Sequence, residues 1–172
     1  MLSADRIIKL LDLRPLPREG GHFRQSYRAA ESISSDALPV RYQRDKQLCT
    51  AIYYLLTSDP DSFSALHRLP TDEIYHFYLG DPVEMLLLYP DGISEQVILG
   101  QDLLASQQIQ FVVPRDVWQG SRLVAGGLFA LLGATMAPGY DEQDYVAGEP
   151  TELIRRYPDQ AQLIRSLSRR LD

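Results

Sequence analysis

The sequence contains little cysteine, histidine or tryptophan. Its 172 residues include one cysteine, three histidines and one tryptophan. The single thiol, Cys49, cannot form an internal disulfide, so nothing indicates an oxidising compartment. Its setting, QLCTAIYYLL, is typical of a buried strand, where cysteine acts as a small apolar residue. We therefore do not expect Cys49 to act as a nucleophile.

Concentrated positive charge is also missing. The net charge is -6, the sequence pI is about 5.0, and no block of five or more like charges occurs. Proteins bind nucleic acids through concentrated basic patches, so we expect no nucleic-acid partner. G-x-G-x-x-G and Walker sequences do not occur either, which leaves nucleotide binding through those motifs without support.

Features of membrane insertion are weak. The segment MLSADRIIKLLDLRPLP has neither the basic start nor the uninterrupted apolar core of a signal peptide. The longest uncharged run, residues 123–140, holds four glycines and a proline, which favours sheet strands over a membrane helix. We predict a cytoplasmic protein with no membrane partner.

Short strand-like runs fill the middle of the chain. We count seven to nine of them between residues 48 and 138, separated by short turns such as SDPD, GDP and PDG. Helices do not alternate with these runs, so the pattern predicts an antiparallel sandwich or barrel. The run HFRQSYR adds an earlier strand, residues 30–46 read as a loop, and Ser3 and Thr151 are candidate caps of terminal helices. We predict one mostly-β domain over residues 1–172.

The stretch SALHRLPTDEIYHFYLGD concentrates histidines and carboxylates. Side chains alternate along a strand, so Glu73, Tyr75, Phe77 and Leu79 would share one face, and His76 would point the other way. Such a cluster fits three roles: metal ligands, the acid and base of an enzyme, or a solvated strand edge. The stretch alone leaves all three open.

The spacing in this stretch resembles the first signature of the cupin superfamily, G-x5-H-x-H-x3-4-E-x6-G. His67, Glu73 and Gly80 match it. Asp61 replaces the first glycine and Leu69 replaces the second histidine. In cupins two histidines and a glutamate hold a metal inside a small β-barrel, so the replacement of the second histidine puts that metal in doubt.

The second cupin signature, G-x5-P-x-G-x2-H-x3-N, is similar to QIQFVVPRDVWQGSRL at Pro114 alone, and Gln119 replaces its histidine. A narrower resemblance covers nearly the whole chain. The segments EGGHFRQSYR, AIYYLL, SFSALHRLPTDEIYHFYLGDPVEMLLL, VVPRDVWQGSRL and MAPGYDEQDYVAGEPTELIRRYP resemble uncharacterised single-domain cupins of the cupin-5 type. These are similar in fold to the dTDP-4-dehydrorhamnose epimerases.

This resemblance implies a double-stranded β-helix, or jelly-roll, barrel over residues 20–140 with a helical tail over residues 150–170. It also implies a homodimer, and it implies no particular reaction. The cupin ligand positions would fall on His67, Leu69, Glu73 and Gln119. Leucine cannot bind a metal and a neutral amide is a poor ligand, so two strong donors remain of the three that a catalytic metal needs. We expect no cofactor and disfavour a divalent metal, which His67 and Glu73 would hold, with His76 as a third ligand only if a bulge turned it inward.

Acid–base chemistry does not need the missing ligands. A histidine beside a carboxylate inside an apolar barrel can act as a general base or acid near neutral pH. By resemblance to the epimerases, His67 would be the base, oriented by Glu73, and Tyr53, Tyr75 or Tyr140 the acid. Of these we name His67, Glu73 and Tyr75 as the catalytic candidates. The other interpretation is that His67 and Glu73 only hydrogen-bond each other in a polar core.

Further residues are candidates for ligand binding. Glu19 and Arg24 flank the two glycines of EGGHFRQSYR and either reach a ligand or form a turn into the first strand. In related cupin dimers an N-terminal strand crosses to the partner's sheet, so Arg24 would line a neighbour's pocket. Trp118 either stacks on a ligand at the barrel mouth, beside Gln119, or fills the core. With Tyr53, His76 and Tyr140, these complete the predicted binding set.

The sequence supports three functional hypotheses. The first is a cupin that binds a small polar metabolite, such as a sugar, nucleotide sugar or organic acid, and isomerises or epimerises it. The second is a binding or sensor protein that encloses such a ligand without chemistry. The third is a metal-dependent dioxygenase or isomerase, which Leu69 and Gln119 disfavour.

Overall fold

The computed structural model describes residues 2–169, and within them thirteen strands and three α-helices occur. The strands are β1 (Arg14–Pro15), β2 (His22–Arg28), β3 (Ser32–Ile33), β4 (Lys46–Gln47), β5 (Thr50–Thr57), β6 (Ser64–Arg68), β7 (Glu73–Gly80), β8 (Val83–Leu88), β9 (Ser94–Leu99), β10 (Gln110–Val113), β11 (Trp118–Leu123), β12 (Phe129–Met136) and β13 (Val146–Ala147). The helices are α1 (Ala4–Leu11), α2 (Pro150–Arg156) and α3 (Ala161–Ser166).

Two antiparallel sheets form the body of the molecule. The six-stranded sheet has the order β1-β2-β5-β12-β7-β10, and the five-stranded sheet has the order β13-β6-β11-β8-β9. The predicted loop over residues 30–46 also holds a small pair, β3 with β4. The mostly-β prediction with short terminal helices is therefore confirmed.

The main core lies between the two sheets. It follows the period of two expected for strands with one buried face. Tyr75 and Phe77 of β7 meet Met85 and Leu87 of β8 in one buried cluster, together with Leu132 of β12. This packing fills most of the barrel interior with apolar side chains.

The terminal helices each cover part of the outer face of a sheet. Ile7 of α1 packs on Leu55 and Leu131 of the six-stranded sheet. Leu153 and Ile164 of the C-terminal helices pack on the outer side of the five-stranded sheet. Within residues 2–169, no helix is both long enough and apolar enough to cross a membrane.

One predicted helix cap is confirmed and the other is wrong. The Ser3 side chain accepts a hydrogen bond from the Arg6 backbone N–H, as predicted. The helix predicted to start at Thr151 is instead capped by Glu149, whose carboxylate accepts the Glu152 N–H at 2.7 Å. Pro150 occupies the first turn, where its missing N–H costs nothing, so the helix begins earlier than predicted.

A bulge in β7 overturns one predicted orientation. The register of β7 against β12 passes from Phe77 opposite Leu132 to Leu79 opposite Leu131, which leaves Tyr78 as the extra residue. Leu79 therefore packs outside with the α1 cluster and does not share a face with Phe77, as alternation had predicted. Glu73, Tyr75 and Phe77, which precede the bulge, keep the predicted inward face.

Candidate functional site

A group of buried polar side chains interrupts the apolar interior. His67 of β6 and Gln119 of β11 face each other as cross-strand partners, and Ser121 lies opposite Ser64. A register shift between these pairs places an extra residue in β6, so Ser64 and His67 both point into the barrel. Glu73, the first residue of β7, faces them from the other sheet. Strand pairing thus brings these polar groups together.

A buried hydrogen bond joins the two sheets at this point. Gln119 Nε2 donates to Glu73 Oε2 over 2.8 Å, and both residues are buried. Two other polar atoms, Gln119 Oε1 and Ser121 Oγ, have no hydrogen-bond partner within residues 2–169. Buried polar atoms are rarely left unpaired, so these two atoms are exceptional polar positions in an otherwise apolar interior.

His67 is fixed from two sides. Its Nδ1 lies 2.8 Å from the Ala65 carbonyl oxygen, and because a carbonyl only accepts, Nδ1 carries the proton. In the neutral ring, Nε2 is then left as an acceptor. The ring of Tyr145 stacks on the imidazole with centroids 5.0 Å apart, and β13 pairs with β6 beside it. His67 is only 1% exposed.

Glu19 joins the site from the loop between β1 and β2. Ser64 Oγ donates to Glu19 Oε1 at 2.8 Å. Tyr54 Oη donates to the Gly20 carbonyl oxygen at 3.0 Å and holds the loop against the barrel. Gly20 has φ +106, and a Cβ there would overlap the Phe63 carbonyl oxygen, so the turn beside Glu19 needs glycine.

The electrostatics of the site centre on Glu73. Burial, followed by the nearby Glu19 carboxylate, raises the pKa of Glu73 to about 7, although His67, Gln119 and Tyr75 oppose the shift. The Glu73 carboxyl is therefore divided between its two protonation states near neutral pH. Burial also raises the pKa of the Tyr75 phenol well above its usual value, so this tyrosine stays protonated and offers a hydrogen bond.

A cavity of about 120 Å³ opens beside these groups. Its polar lining includes Glu19, Glu73 and Tyr140, and its apolar lining includes Leu69 and Met136. Burial, followed by Glu19, raises the pKa of Tyr140, which therefore presents a neutral hydroxyl at neutral pH. A mostly apolar cavity with a few converging polar groups is the usual form of a small-molecule site.

The structure brings six of the predicted site residues to this end of the barrel: Glu19, His67, Glu73, Tyr75, Gln119 and Tyr140. Sequence reasoning missed Ser64, Tyr54 and Tyr145. Tyr145 follows the barrel in the sequence and reaches His67 only through the pairing of β13, so no local pattern identified it.

Four other predicted residues lie elsewhere. Arg24, Tyr53 and His76 lie on the outer face of the six-stranded sheet, where the Arg24 guanidinium is 5.4 Å from the Tyr53 ring centroid. His76 Nδ1 accepts from Gln110 Nε2 at 3.2 Å, opposite the buried face of Tyr75. Trp118 packs under the C-terminal helices, with Arg68 4.9 Å from its ring centroid. Their roles in ligand binding stay predictions, and within this chain they do not border the cavity.

The donor set does not fit a three-ligand metal. Among residues 2–169, no group of three histidine, cysteine or carboxylate side chains is placed to hold an ion. Leu69, at the position of the missing cupin histidine, is buried and lines the cavity with an apolar side chain. His67 and Glu73 remain as donors, with the weak amide ligand Gln119.

Relatives of this chain include proteins with closely similar structures. A protein from Shewanella oneidensis is 32% identical, with a TM-score of 0.85 over 98% of this chain and 99% of that chain. A hypothetical protein from Leishmania major is 26% identical, with a TM-score of 0.84 over 97% of this chain and 99% of that one. An uncharacterised protein of Saccharomyces cerevisiae is 29% identical over 137 residues, 74% of this chain and 67% of that protein.

More distant structures share the fold alone. Oxalate decarboxylase from Bacillus subtilis is 12% identical, with a TM-score of 0.53 over 91% of this chain and 37% of that chain. This likeness supports the jelly-roll architecture predicted from the sequence. The family described as cupin superfamily (DUF985) matches residues 5–147, which is most of the chain, so the protein belongs to that family.

Proposed function

We propose that the barrel binds a small polar metabolite, such as a sugar or nucleotide sugar, and transfers a proton at the carbon next to its carbonyl group. The result would be an isomerisation or an epimerisation. Glu73 is the group that meets the ligand, because it borders the cavity. Gln119 donates a hydrogen bond to the Glu73 carboxyl, and the nearby His67 lowers the pKa of Glu73 against the effect of burial.

The observation that carries this proposal is the placement of Glu73, a buried carboxyl that borders the cavity together with Glu19. Proton transfer is most effective when the pKa of the catalytic group is near the working pH. Burial and Glu19 raise the pKa of Glu73 to about 7, whereas an exposed glutamate is fully ionised at that pH. Paired carboxylates in an apolar site are a known way of producing such a group.

The chemistry balances with the residues of the cavity wall. The Glu73 carboxylate takes the proton from the carbon, and the C–H electrons form the enolate. In the isomerisation, the proton of the adjacent hydroxyl group passes to the former carbonyl oxygen, and Glu73 returns its proton to the neighbouring carbon as the new carbonyl forms. In the epimerisation, a proton from the Tyr140 hydroxyl would reach the first carbon from the opposite face. Proton exchange with water would then restore the Tyr140 hydroxyl and the Glu73 carboxylate. The raised pKa of Tyr140 makes proton release from its hydroxyl costly, which supports the one-base isomerisation in this proposal over the epimerisation.

The size of the cavity limits what is enclosed. Its volume of about 120 Å³ is below the roughly 300 Å³ at which sites for drug-sized ligands begin. The reacting end of a sugar fits such a space, and any larger group of the ligand would remain outside. The two carboxylates, Glu19 and Glu73, also disfavour an anionic group within the cavity.

Proton exchange in heavy water tests this proposal. Dihydroxyacetone, ribulose and fructose are incubated with the protein in D2O, and deuterium at the carbon next to the carbonyl is followed by NMR. We expect exchange with at least one ketose, reduced at least about 100-fold in Glu73→Gln, since general acid–base catalysis contributes factors of this order. Glu31→Gln removes an exposed carboxylate and serves as the matched control.

The same experiment separates catalysis from binding alone. Ketose binding without exchange would favour the non-catalytic binding or sensor protein. Exchange that survives in both Glu73→Gln and His67→Ala would overturn the roles given to these residues. The cytoplasmic location remains a proposal supported by the single cysteine, which fits a reducing compartment.

A further inference from the structure

A cationic cleft lies next to the barrel cavity. It has a volume of about 290 Å³, and its lining includes Arg41, Arg44 and Arg68. Leu69 lines both this cleft and the barrel cavity, so one side chain borders the two spaces. The cleft was not predicted from the sequence, because its arginines come from two separate segments of the chain.

The charge in this cleft differs from that of the whole molecule. The chain carries a net charge of -6, yet three arginines line this one cleft. Asp144, one of the acidic residues in the lining, is already paired with the buried Lys46 ammonium. Asp116 also lines the cleft, and its Oδ2 lies 4.0 Å from Arg115 Nε. The cleft therefore has an excess of positive charge.

Two of the arginines are held in place by neighbouring groups. Arg41 Nε donates to the Pro70 carbonyl oxygen at 3.0 Å, and its guanidinium lies 4.7 Å from the Tyr42 ring centroid. Arg68 stacks on Trp118. Among residues 2–169, Arg44 takes part in no ion pair. Fixed guanidinium groups with unused N–H donors suit an oxyanion.

We propose that the arginine cleft binds the phosphate group of a ligand whose carbonyl or hydroxyl end lies in the barrel. This assignment rests on the proposed function and narrows its substrate class to phosphorylated sugars, nucleotide sugars included. The two spaces have opposite character: Glu19 and Glu73 face the cavity, and the arginines face the cleft. A ligand with a neutral polar end and a dianionic end matches both.

The test compares fructose 6-phosphate with fructose by isothermal titration calorimetry at constant ionic strength. We expect the phosphate to strengthen binding to the wild-type protein about tenfold, as charge-assisted hydrogen bonds contribute on this scale. In Arg44→Gln, fructose 6-phosphate should bind at most about twofold more tightly than fructose, because one charged hydrogen-bond donor to the phosphate is lost. Arg6→Gln removes an equal charge from an exposed position of α1 and should leave the advantage unchanged.

Inorganic phosphate isolates the cleft from the barrel. Titrated phosphate should move the NMR signals of the arginine Nε–H groups at Arg41, Arg44 and Arg68, whereas acetate at the same ionic strength should move them less. Equal binding of fructose 6-phosphate and fructose, or equal phosphate affinity in Arg44→Gln and the wild-type protein, would overturn the assignment. The two proposals can fail independently. If only the proton-transfer proposal is wrong, no exchange will be seen in heavy water, but the cleft will still bind phosphate.

Discussion

Glu73 is the residue on which the site depends most. Its carboxyl lies in the interior of the barrel, accepts from Gln119 Nε2 and faces a second carboxylate, Glu19. An ionised carboxylate in this position loses its hydration, which costs free energy, so the folded protein favours the protonated form. The same conditions that suit proton transfer therefore make the residue a weak point in stability above neutral pH.

The unfolding free energy should depend on pH in a way that shows the protonation of Glu73. Because the pKa of Glu73 is raised from about 4.5 to about 7, the folded state holds this proton more tightly than the unfolded chain. The resulting stabilisation is complete below about pH 4.5 and is lost as the pH rises through 7. Over this window we expect the unfolding free energy of the wild-type protein, relative to Glu73→Gln, to fall by about 3 kcal/mol.

Urea denaturation at a series of pH values between 4.5 and 8 measures this difference. The glutamine in Glu73→Gln keeps a carbonyl acceptor for Gln119 and does not titrate, so the comparison isolates the proton. Parallel pH profiles for the two proteins would mean that Glu73 ionises normally in the folded state. The proton-transfer role would then lose its physical basis.

Leu69 decides whether the barrel can hold a metal. Its side chain is 4% exposed and borders the cavity with Glu73. In Leu69→His, an imidazole would join His67 and Glu73 and complete three donors. We predict that Leu69→His binds about one divalent zinc or manganese ion per chain and that the wild-type protein binds neither tightly.

Metal content after dialysis against each ion gives the answer. Leu69→Gln, which is polar but lacks the imidazole, is the matched control and should resemble the wild-type protein. Stoichiometric metal in the wild-type protein, lost in His67→Ala, would show that two strong donors suffice here. The hypothesis of a metal-dependent dioxygenase or isomerase would then be revived.

At the scale of elements, β7 places the site and also shows the limits of sequence reasoning. Alternation correctly predicted that Glu73 and Tyr75 point inward and that His76 points outward. It failed at Leu79, because a bulge at Tyr78 depends on the pairing with β12. Local periodicity identifies the face of a regular strand, but it cannot detect an irregularity that a partner strand imposes.

The end of β7 requires glycine. Gly80 has φ +108, and a Cβ there would overlap the Phe129 carbonyl oxygen of β12. Gly92 has φ +93 with nothing near its Cβ position, so it shares the backbone conformation without the overlap. We expect Gly80→Ala to destabilise the fold by about 3 kcal/mol and Gly92→Ala by about 1 kcal/mol.

Thermal or urea unfolding of the two variants separates overlap from backbone strain. Equal losses of stability would mean that only the left-handed conformation matters and that Gly80 has no role in the close approach of β12. The glycine was found from the sequence through its cupin spacing. The close approach of Gly80 to Phe129 could not be predicted from the sequence, since Phe129 lies in a strand far along the chain.

At the scale of the whole molecule, the candidate site joins distant segments. Glu19 precedes the barrel, Glu73 and His67 lie in its first half, and Tyr145 follows its last long strand. The sequence indicated His67 and Glu73 through one short stretch. Alternation along β11 places Trp118 and Gln119 on opposite faces, but it could not show which of the two points into the barrel.

The outer face of the six-stranded sheet is a surface suited to self-association. Tyr53 and Tyr78 meet edge to face with centroids 6.2 Å apart, and Tyr78 is 42% exposed. The resemblance to dimeric cupins predicts a homodimer, and exposed aromatic groups are enriched at interfaces. We expect Tyr78→Glu to convert a wild-type dimer into a monomer. Ile93→Glu changes an exposed residue in the turn between β8 and β9 of the other sheet and should leave the dimer intact.

Sedimentation velocity of the three proteins at the same concentration tests this prediction. A monomeric wild-type protein would remove the suggestion that Arg24 lines a neighbour's pocket. A dimer that persists in Tyr78→Glu would move the interface to another surface.

The measurement that tests the central claim most directly is native mass spectrometry of protein purified from its own cells, with metal content determined on the same sample. We predict one small polar molecule per chain and no stoichiometric metal. Ala134→Leu fills the cavity wall and should abolish retention of that molecule. An empty wild-type protein, or a molecule retained equally by both proteins, would contradict the claim that the barrel interior is a ligand site.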